Sequence, residues 1–164
     1  MTTDIWRASA VVSSGVRQGT AAGAALEQRA NILEMTQATE DAVLRPTEPG
    51  AWSHELRAAL AGRIARLNGS EALVAHYGAM ADGSPLAQFA DPTSRSTREP
   101  LATVLTFVDD VATKPKDITG DDIKGLQSAG IADADIVRLT ELVAFMAYHV
   151  RLAAGLRLLA EMSS

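Results

Sequence analysis

The chain has 164 residues, 47% of them apolar, a formal net charge of −5 and no cysteine. That length suffices for one domain with a real core and is short for two of ordinary size. The acidic balance argues against nucleic acid as a partner, because phosphate binding needs a basic face. The lack of cysteine excludes disulfides, thiolate metal sites and a thiol redox cycle within this chain.

Aromatic residues make up only 4% of the chain, and alanine and leucine dominate. Such a composition builds its core from helices that approach closely, since alanine costs no side-chain entropy in a helix. Residues 1–20 show no convincing period. Trp6 is the one residue there suited to dock the arm onto its own domain or a neighbouring subunit. Asp4 stands where a signal peptide would be basic, and the apolar run beyond it is short and broken.

From Ala21 to Leu44 the positions Leu26, Ala30, Leu33 and Val43 fit one helical stripe, which Pro46 stops. "RPTEPGAW" is a turn-rich connector. Ser53 is placed to cap a second helix, with Leu56, Leu60, Ile64 and Leu67 on its apolar side. Arg57, Arg63 and Arg66 on that helix read as a solvated edge. Asn68-Gly69 ends it, and Ser70 is expected to cap a third helix with Leu73, Val74, Tyr77 and Met80 on its apolar side.

A loop opening at Asp82-Gly83-Ser84-Pro85 runs to about Arg95. Thr97 and Pro100 start a fourth helix carrying Leu101, Val104, Leu105, Val108 and Val111, closed by Pro115. Thr119 and Asp122 have the spacing of a capping box, and lead a short helix with Ile123 and Leu126 that ends at Gly130. Asp133 is expected to cap the last helix, stapled by Ile131 and running to about Glu161. From Val137 onward it is apolar on most sides, the mark of a helix surrounded by others.

The expected fold is therefore all-α, a bundle of about six helices around a long, central C-terminal helix. Residues 1–50 form an N-terminal arm and helix, and 51–164 the main helical domain, within one compact unit. No stretch of membrane-spanning length lacks charge, since even the apolar C-terminal region carries Glu141, His149, Arg151 and Arg157. A soluble, cytoplasmic protein without membrane attachment is expected.

Residues 67–80, "LNGSEALVAHYGAM", gather a hydroxyl, an imidazole and a phenol at Ser70, His76 and Tyr77. Ser70 and His76 are six apart on one helix, so they form no nucleophile pair there. Ser70 reads as an N-cap and Tyr77 as core packing. His76 reads either as a hydrogen-bonded histidine at a packed surface or as an acid–base group. Glu141 sits among Leu139, Leu142, Val143 and Phe145, with Arg138 three residues before it and Tyr148 seven after. That setting suggests a buried or subunit-facing ion pair, or a proton-transfer group raised by desolvation.

His149 and Arg151 follow on the same helix, where an arginine ties down a carboxylate or helix carbonyls, or clamps an anionic ligand. The histidines, His54 among them, show no metal spacing.

"HELRAALAGRIARLNGSEALVAHY" and "DDIKGLQSAGIADADIVRLTELVAFMAYHVRLAAGL" resemble the carboxymuconolactone decarboxylase and AhpD alkylhydroperoxidase superfamily over roughly residues 50–160. "TQATEDAVLRPTEPGAWSHELR" further resembles a cysteine-free branch of it. The resemblance implies a small all-α protein that assembles into an obligate homo-oligomer, or a hetero-oligomer with a related chain, and needs no cofactor. The peroxidase members carry N-G-C-x-x-C, a histidine four residues after the second cysteine, and a glutamate on the preceding helix. Here those places hold Ser70, Leu73 and Tyr77, and the glutamate's place falls near Ala58, with Glu55 the nearest carboxylate. A leucine cannot resolve a sulfenic acid, so thiol peroxidase activity is not expected of this chain alone. The decarboxylase branch keeps a histidine eight residues after the asparagine, the spacing of Asn68 and His76, and works without cysteine or metal.

Two functions follow as expectations. One is a non-redox protein binding a small molecule, anionic or neutral, at an interhelical or intersubunit pocket. In it His76 is acid or base, Tyr77 or Glu141 assists, and Arg151 and His149 bind the ligand; a lactone decarboxylase-type enzyme is one form of this. The other is a non-catalytic subunit that stabilises or regulates a related, cysteine-bearing partner.

Overall fold

Helices account for all the regular structure in residues 4–163, which the computed structural model describes. Residues 1–3 of the arm and residue 164 lie outside the described residues. In chain order the α-helices are α1 (Ser9–Ser14), α2 (Ala21–Glu27), α3 (Ala30–Leu44), α4 (His54–Leu67), α5 (Glu71–Ala81), α6 (Leu101–Thr113), α7 (Gly120–Ser128) and α8 (Asp133–Met162). Short 3₁₀ turns occupy Ile5–Arg7, Pro85–Ala90 and Pro115–Asp117.

The count exceeds six for two reasons. The arm contains α1, too short to show a period, and the stripe expected over 21–44 breaks at Gln28 and Arg29. The break lets Ala22 and Leu26 of α2, and Leu33 of α3, join Ile5, Ala8, Val11 and Val16 in one buried cluster. Trp6 packs at the edge of that cluster, close to Gly23, where a side chain would strike the Arg17 carbonyl and the Trp6 ring. The arm thus docks on its own chain.

Helix ends follow local chemistry in part. Ser53 Oγ accepts from the Leu56 amide, and Thr119 with Asp122 forms the capping box. Three caps depart from expectation. Ser70 stands at the N-cap of α5 but makes no capping hydrogen bond, Ala132 rather than Asp133 precedes α8, and Pro100 rather than Thr97 precedes α6.

The larger core gathers α4 to α8. Its innermost helix is α4, on which every residue from Leu56 to Ala65 is buried. The small residues make this possible: a side-chain carbon at Gly62 would lie 3.3 Å from Ala90 Cβ and 3.7 Å from Tyr77 Cβ. Leu60 and Ile64 are wholly enclosed, each worth about 2 kcal/mol of burial.

By contrast α8 carries one buried stripe, from Ile136 through Leu139, Met146 and Val150 to Ala153, while Val137, Tyr148 and Leu158 are exposed. It is a long amphipathic spine, not a helix surrounded on all sides. It is also long and apolar enough, by length and composition, to cross a membrane. Here its buried stripe meets α1, α3, α4, α6 and α7.

Because α4 is enclosed, two of its arginines are not a solvated edge. Arg57 is 1% and Arg63 0% exposed; only Arg66 faces solvent. The Arg57 guanidinium donates to the carbonyls of Val43, Pro49 and Trp52, tying the connector before α4 to the helix. Arg63 forms a fork with Asp109 of α6, at 2.5 and 2.7 Å, and also donates to the carbonyls of Phe89, Asp91, Pro92 and Ser94. The five fixed N–H donors of arginine suit it to hold a loop whose carbonyls would otherwise be buried without partners.

Candidate functional site

One face of α3 reads Leu33, Thr36, Glu40 and Leu44, all buried. The spacing of three and four residues is a core stripe with a carboxylate set into it. Glu40 is 2% exposed, a position whose desolvation costs several kcal/mol unless it is paired and hydrogen-bonded. Side chains from three other helices meet that need.

His76 of α5 places Nε2 2.9 Å from Glu40 Oε1, and Ser9 of α1 donates its hydroxyl to Oε2. Ser9 Oγ also lies 3.2 Å from Nε2 of His149 on α8, and Nδ1 of His149 lies 2.6 Å from the Tyr77 hydroxyl. Phe145 flanks His149 at 5.1 Å between ring centres, and the His76 and Tyr77 rings meet edge to face at 4.8 Å. Ser9, Tyr77 and His149 are buried, whereas the His76 side chain is 35% exposed.

Proton counting gives the chain its direction. Ser9 has one hydroxyl proton and gives it to Glu40, so His149 Nε2 carries the hydrogen shared with Ser9 Oγ. The neutral imidazole then presents Nδ1 as acceptor to the Tyr77 hydroxyl. Donation runs from Tyr77 to His149 to Ser9 to Glu40, and from His76 to Glu40 on the other side.

The electrostatics agree. Burial alone would raise the Glu40 carboxyl, but hydrogen bonds from His76 and Ser9, with the charges of His149 and His76, hold it below its ordinary value. Burial lowers His149, outweighing the attraction of Glu40, and burial followed by the Glu40 charge pushes the Tyr77 phenol well up. The resting state is an ionised Glu40, a neutral His149 and a neutral Tyr77.

His76, Tyr77 and His149 thus come together, and Glu141 does not join them. Glu141 is exposed, because the apolar neighbours that made it look buried lie on the core stripe of α8 while position 141 lies beside it. Arg138 pairs with Asp135 at 2.9 Å instead, and the Tyr148 hydroxyl lies 2.8 Å from Thr36 Oγ1. Arg151 is exposed and folds back on the Ala147 carbonyl of its own helix, so it and the buried His149 do not face one ligand. Leu73 is core, and Ser70 lines a hollow of ≈ 380 Å³ with Ser13 and Arg157. Glu55 and Ala58 lie on α4, one exposed and one buried, and His54 Nε2 lies 3.0 Å from the Pro46 carbonyl.

The two residues missing from the sequence reading are Glu40 and Ser9. Glu40 was legible as a carboxylate in register with Leu33 and Leu44. Ser9 had no signal, since its helix is only six residues long.

Beside the cluster, α3 and α8 leave an apolar trough of ≈ 610 Å³, lined among others by Met35, Thr36, Phe145 and Tyr148. A second stretch of ≈ 520 Å³ continues it past Ile32 toward Leu156. Thr36 and Phe145 lie one helical turn from Glu40 and His149 on the same helices, so the trough borders the cluster. Among the described residues no group of three His, Cys, Asp or Glu has metal-ligand geometry.

Fold and site together define a class: an all-helical protein with a buried carboxylate–imidazole–phenol cluster that reaches solvent at one histidine. No family model, curated protein or solved structure matches the chain.

Proposed function

We propose that this chain is a cysteine-free relative of the carboxymuconolactone decarboxylase and AhpD group that performs proton transfer on a small molecule, with His76 as the acid–base group. The observation that carries the reading is the convergence of His76 and Ser9 on one buried carboxylate, Glu40, with His149 joined to it through Ser9. Glu40 holds Nε2 of the half-exposed His76, so Nδ1 is the nitrogen that meets a substrate.

In the forward step Nδ1 takes a proton from an acidified C–H bond, whose electron pair moves to an adjacent carbonyl oxygen to give an enolate. The Glu40 carboxylate stabilises the imidazolium, and the proton returns to carbon at a new position. In the decarboxylase form the bond to the carboxylate carbon breaks instead and CO2 leaves. The bonding pair forms the enolate, and the His76 imidazolium delivers the proton to carbon. The carboxylate that the resemblance places on the preceding helix comes here from α3, and Tyr77, at the place of the redox-family histidine, buttresses His149.

The test uses 5-nitrobenzisoxazole, whose ring opens on removal of one proton. The protein should open it faster than free imidazole at equal concentration, and His76→Gln should return the rate to that background with the fold intact. Equal rates for the two proteins would sink the reading.

A second reading rests on the trough itself. An apolar α3–α8 surface that includes Ile32, Met35 and Tyr148, each at least 40% exposed, suits a non-catalytic subunit paired with a related, cysteine-bearing chain. Native mass spectrometry of protein purified gently from its host separates the two. A mixed complex supports the subunit, and a homo-oligomer with bound small-molecule mass supports the ligand site.

A further inference from the structure

The cluster is assembled from two layers of the molecule. Glu40 with His76 and Tyr77 with His149 form two bonded pairs on α3, α5 and α8, whereas Ser9, which links them, alone comes from the arm. The arm packs through a separate apolar cluster, Ile5, Ala8, Val11 and Val16 with Leu26 and Leu33, on the starts of α2 and α3 and the end of α8. Its polar anchors to the site are the Ser9 hydroxyl and the Ser9 amide, which donates to Gln37 Oε1 at 2.9 Å.

If α1 lifts, the bonds of His76 to Glu40 and of Tyr77 to His149 remain, and two groups lose their partner together: the acceptor Glu40 Oε2 and the donor His149 Nε2. One oxygen that both donates and accepts satisfies both, which is the property of a hydroxyl. A ketone or nitrile can accept from His149 but leaves Glu40 unmet.

We propose that residues Ile5–Ser14 are a lid over a hydroxyl-binding site, and that the Ser9 side chain occupies the place of the hydroxyl of a small alcohol or enol ligand. The ligand's O–H points at Glu40, its oxygen accepts from His149, and its body extends into the space that α1 vacates. The inference deepens the proton-transfer reading and rests on it for its purpose. Its tests read His149 and the arm, not His76, so its failure and that of the benzisoxazole assay are separately visible.

The lid is tested with Val11→Asp, which loosens the arm's apolar cluster without touching the site. Amide exchange over residues 5–14 should rise while α4 stays protected. Under the same conditions diethyl pyrocarbonate should acylate His149 to the level of the exposed His54, whereas wild-type His149 stays unmodified. Acylation of His149 only where α4 amides also exchange would overturn the lid, because α1 would then be inseparable from the core.

The hydroxyl site is tested with Ser9→Gly and methanol, the missing side-chain fragment. The imidazole nitrogen signals of His149 should move saturably with methanol and not with acetonitrile, and neither should act in wild type. A drift in His149 that matches His54 at all methanol concentrations would overturn the assignment.

Discussion

The molecule buries charge in two places, and it does so differently. On α4 the guanidinium groups of Arg57 and Arg63 are satisfied mainly by backbone carbonyls, with Asp109 as the one carboxylate, and they fasten the segments 43–52 and 89–94. At the junction of α1, α3, α5 and α8 the partners are themselves titratable or hydroxylic, and they bond to one another. Carbonyls cannot take up or release a proton, so the first arrangement is mainly a clamp. A carboxylate, two imidazoles and a phenol have alternative proton positions, so the second is able to do chemistry. Burial alone does not mark a site; the nature of the partners does.

The largest expected effect lies in the clamp. Arg63→Met leaves Asp109 and four loop carbonyls without their donor, and should lower stability by about 3–5 kcal/mol, as removal of one member of a buried ion pair does. Urea denaturation measures it, and a loss below about 1 kcal/mol, the range of exposed pairs, would erase the contrast drawn here.

Acid should act on the other region. His149 is held below its ordinary 6.5 and Glu40 below its ordinary 4.5, so the unfolded chain binds more protons than the native one as pH falls. Stability is then complete above the unfolded values. It declines first below about 6.5 as His149 resists its charge, and again below about 4.5 as Glu40 is protonated. The slope of melting temperature against pH reads this. Glu40→Gln should shrink the lower step, and an unchanged lower step would assign it elsewhere. The remainder belongs to Glu55, Asp91 and Asp122, also held below their ordinary values by hydrogen bonds.

Tyr77→Phe is a smaller change. It leaves His149 Nδ1 buried without a donor, for about 1–2 kcal/mol in denaturant. His76→Gln is the smallest in stability, about 1 kcal/mol, because the glutamine amide can still donate to the buried Glu40, and the largest in the benzisoxazole rate. A variant that lost stability and kept the rate would make His76 structural.

Much of the architecture was legible because long amphipathic helices declare themselves. The stripes Leu56–Leu60–Ile64 and Val104–Leu105–Val108, and the Thr119–Asp122 capping box, are local signals that the fold uses as written. The buried arginines were not legible, since an arginine on an alanine-rich helix looks the same facing water or facing a loop that folds over it. Glu141 is exposed for the complementary reason: its sequence neighbours are core, but on a helix the adjacent residue is turned by 100°, which places it at the α3–α8 trough. Within the site, His76 and Tyr77 lie on the helix that follows the Asn-Gly break, and His149 lies on the last helix. Their meeting depends on Glu40 and Ser9, 36 and 67 residues before His76 by subtraction of their numbers, and tertiary packing alone brings those together.

The most direct measurement is the nitrogen NMR spectrum of the side-chain imidazoles near pH 7.5, in wild type and in Tyr77→Phe and Glu40→Gln. The account predicts a neutral His149 with its hydrogen on Nε2 and an Nδ1 signal that responds to Tyr77→Phe. It also predicts that Glu40→Gln shifts both His76 and His149, as a shared carboxylate requires. A His149 protonated on both nitrogens, or carrying its hydrogen on Nδ1, would reverse the direction of donation and contradict the relay. So would a His76 signal indifferent to Glu40→Gln.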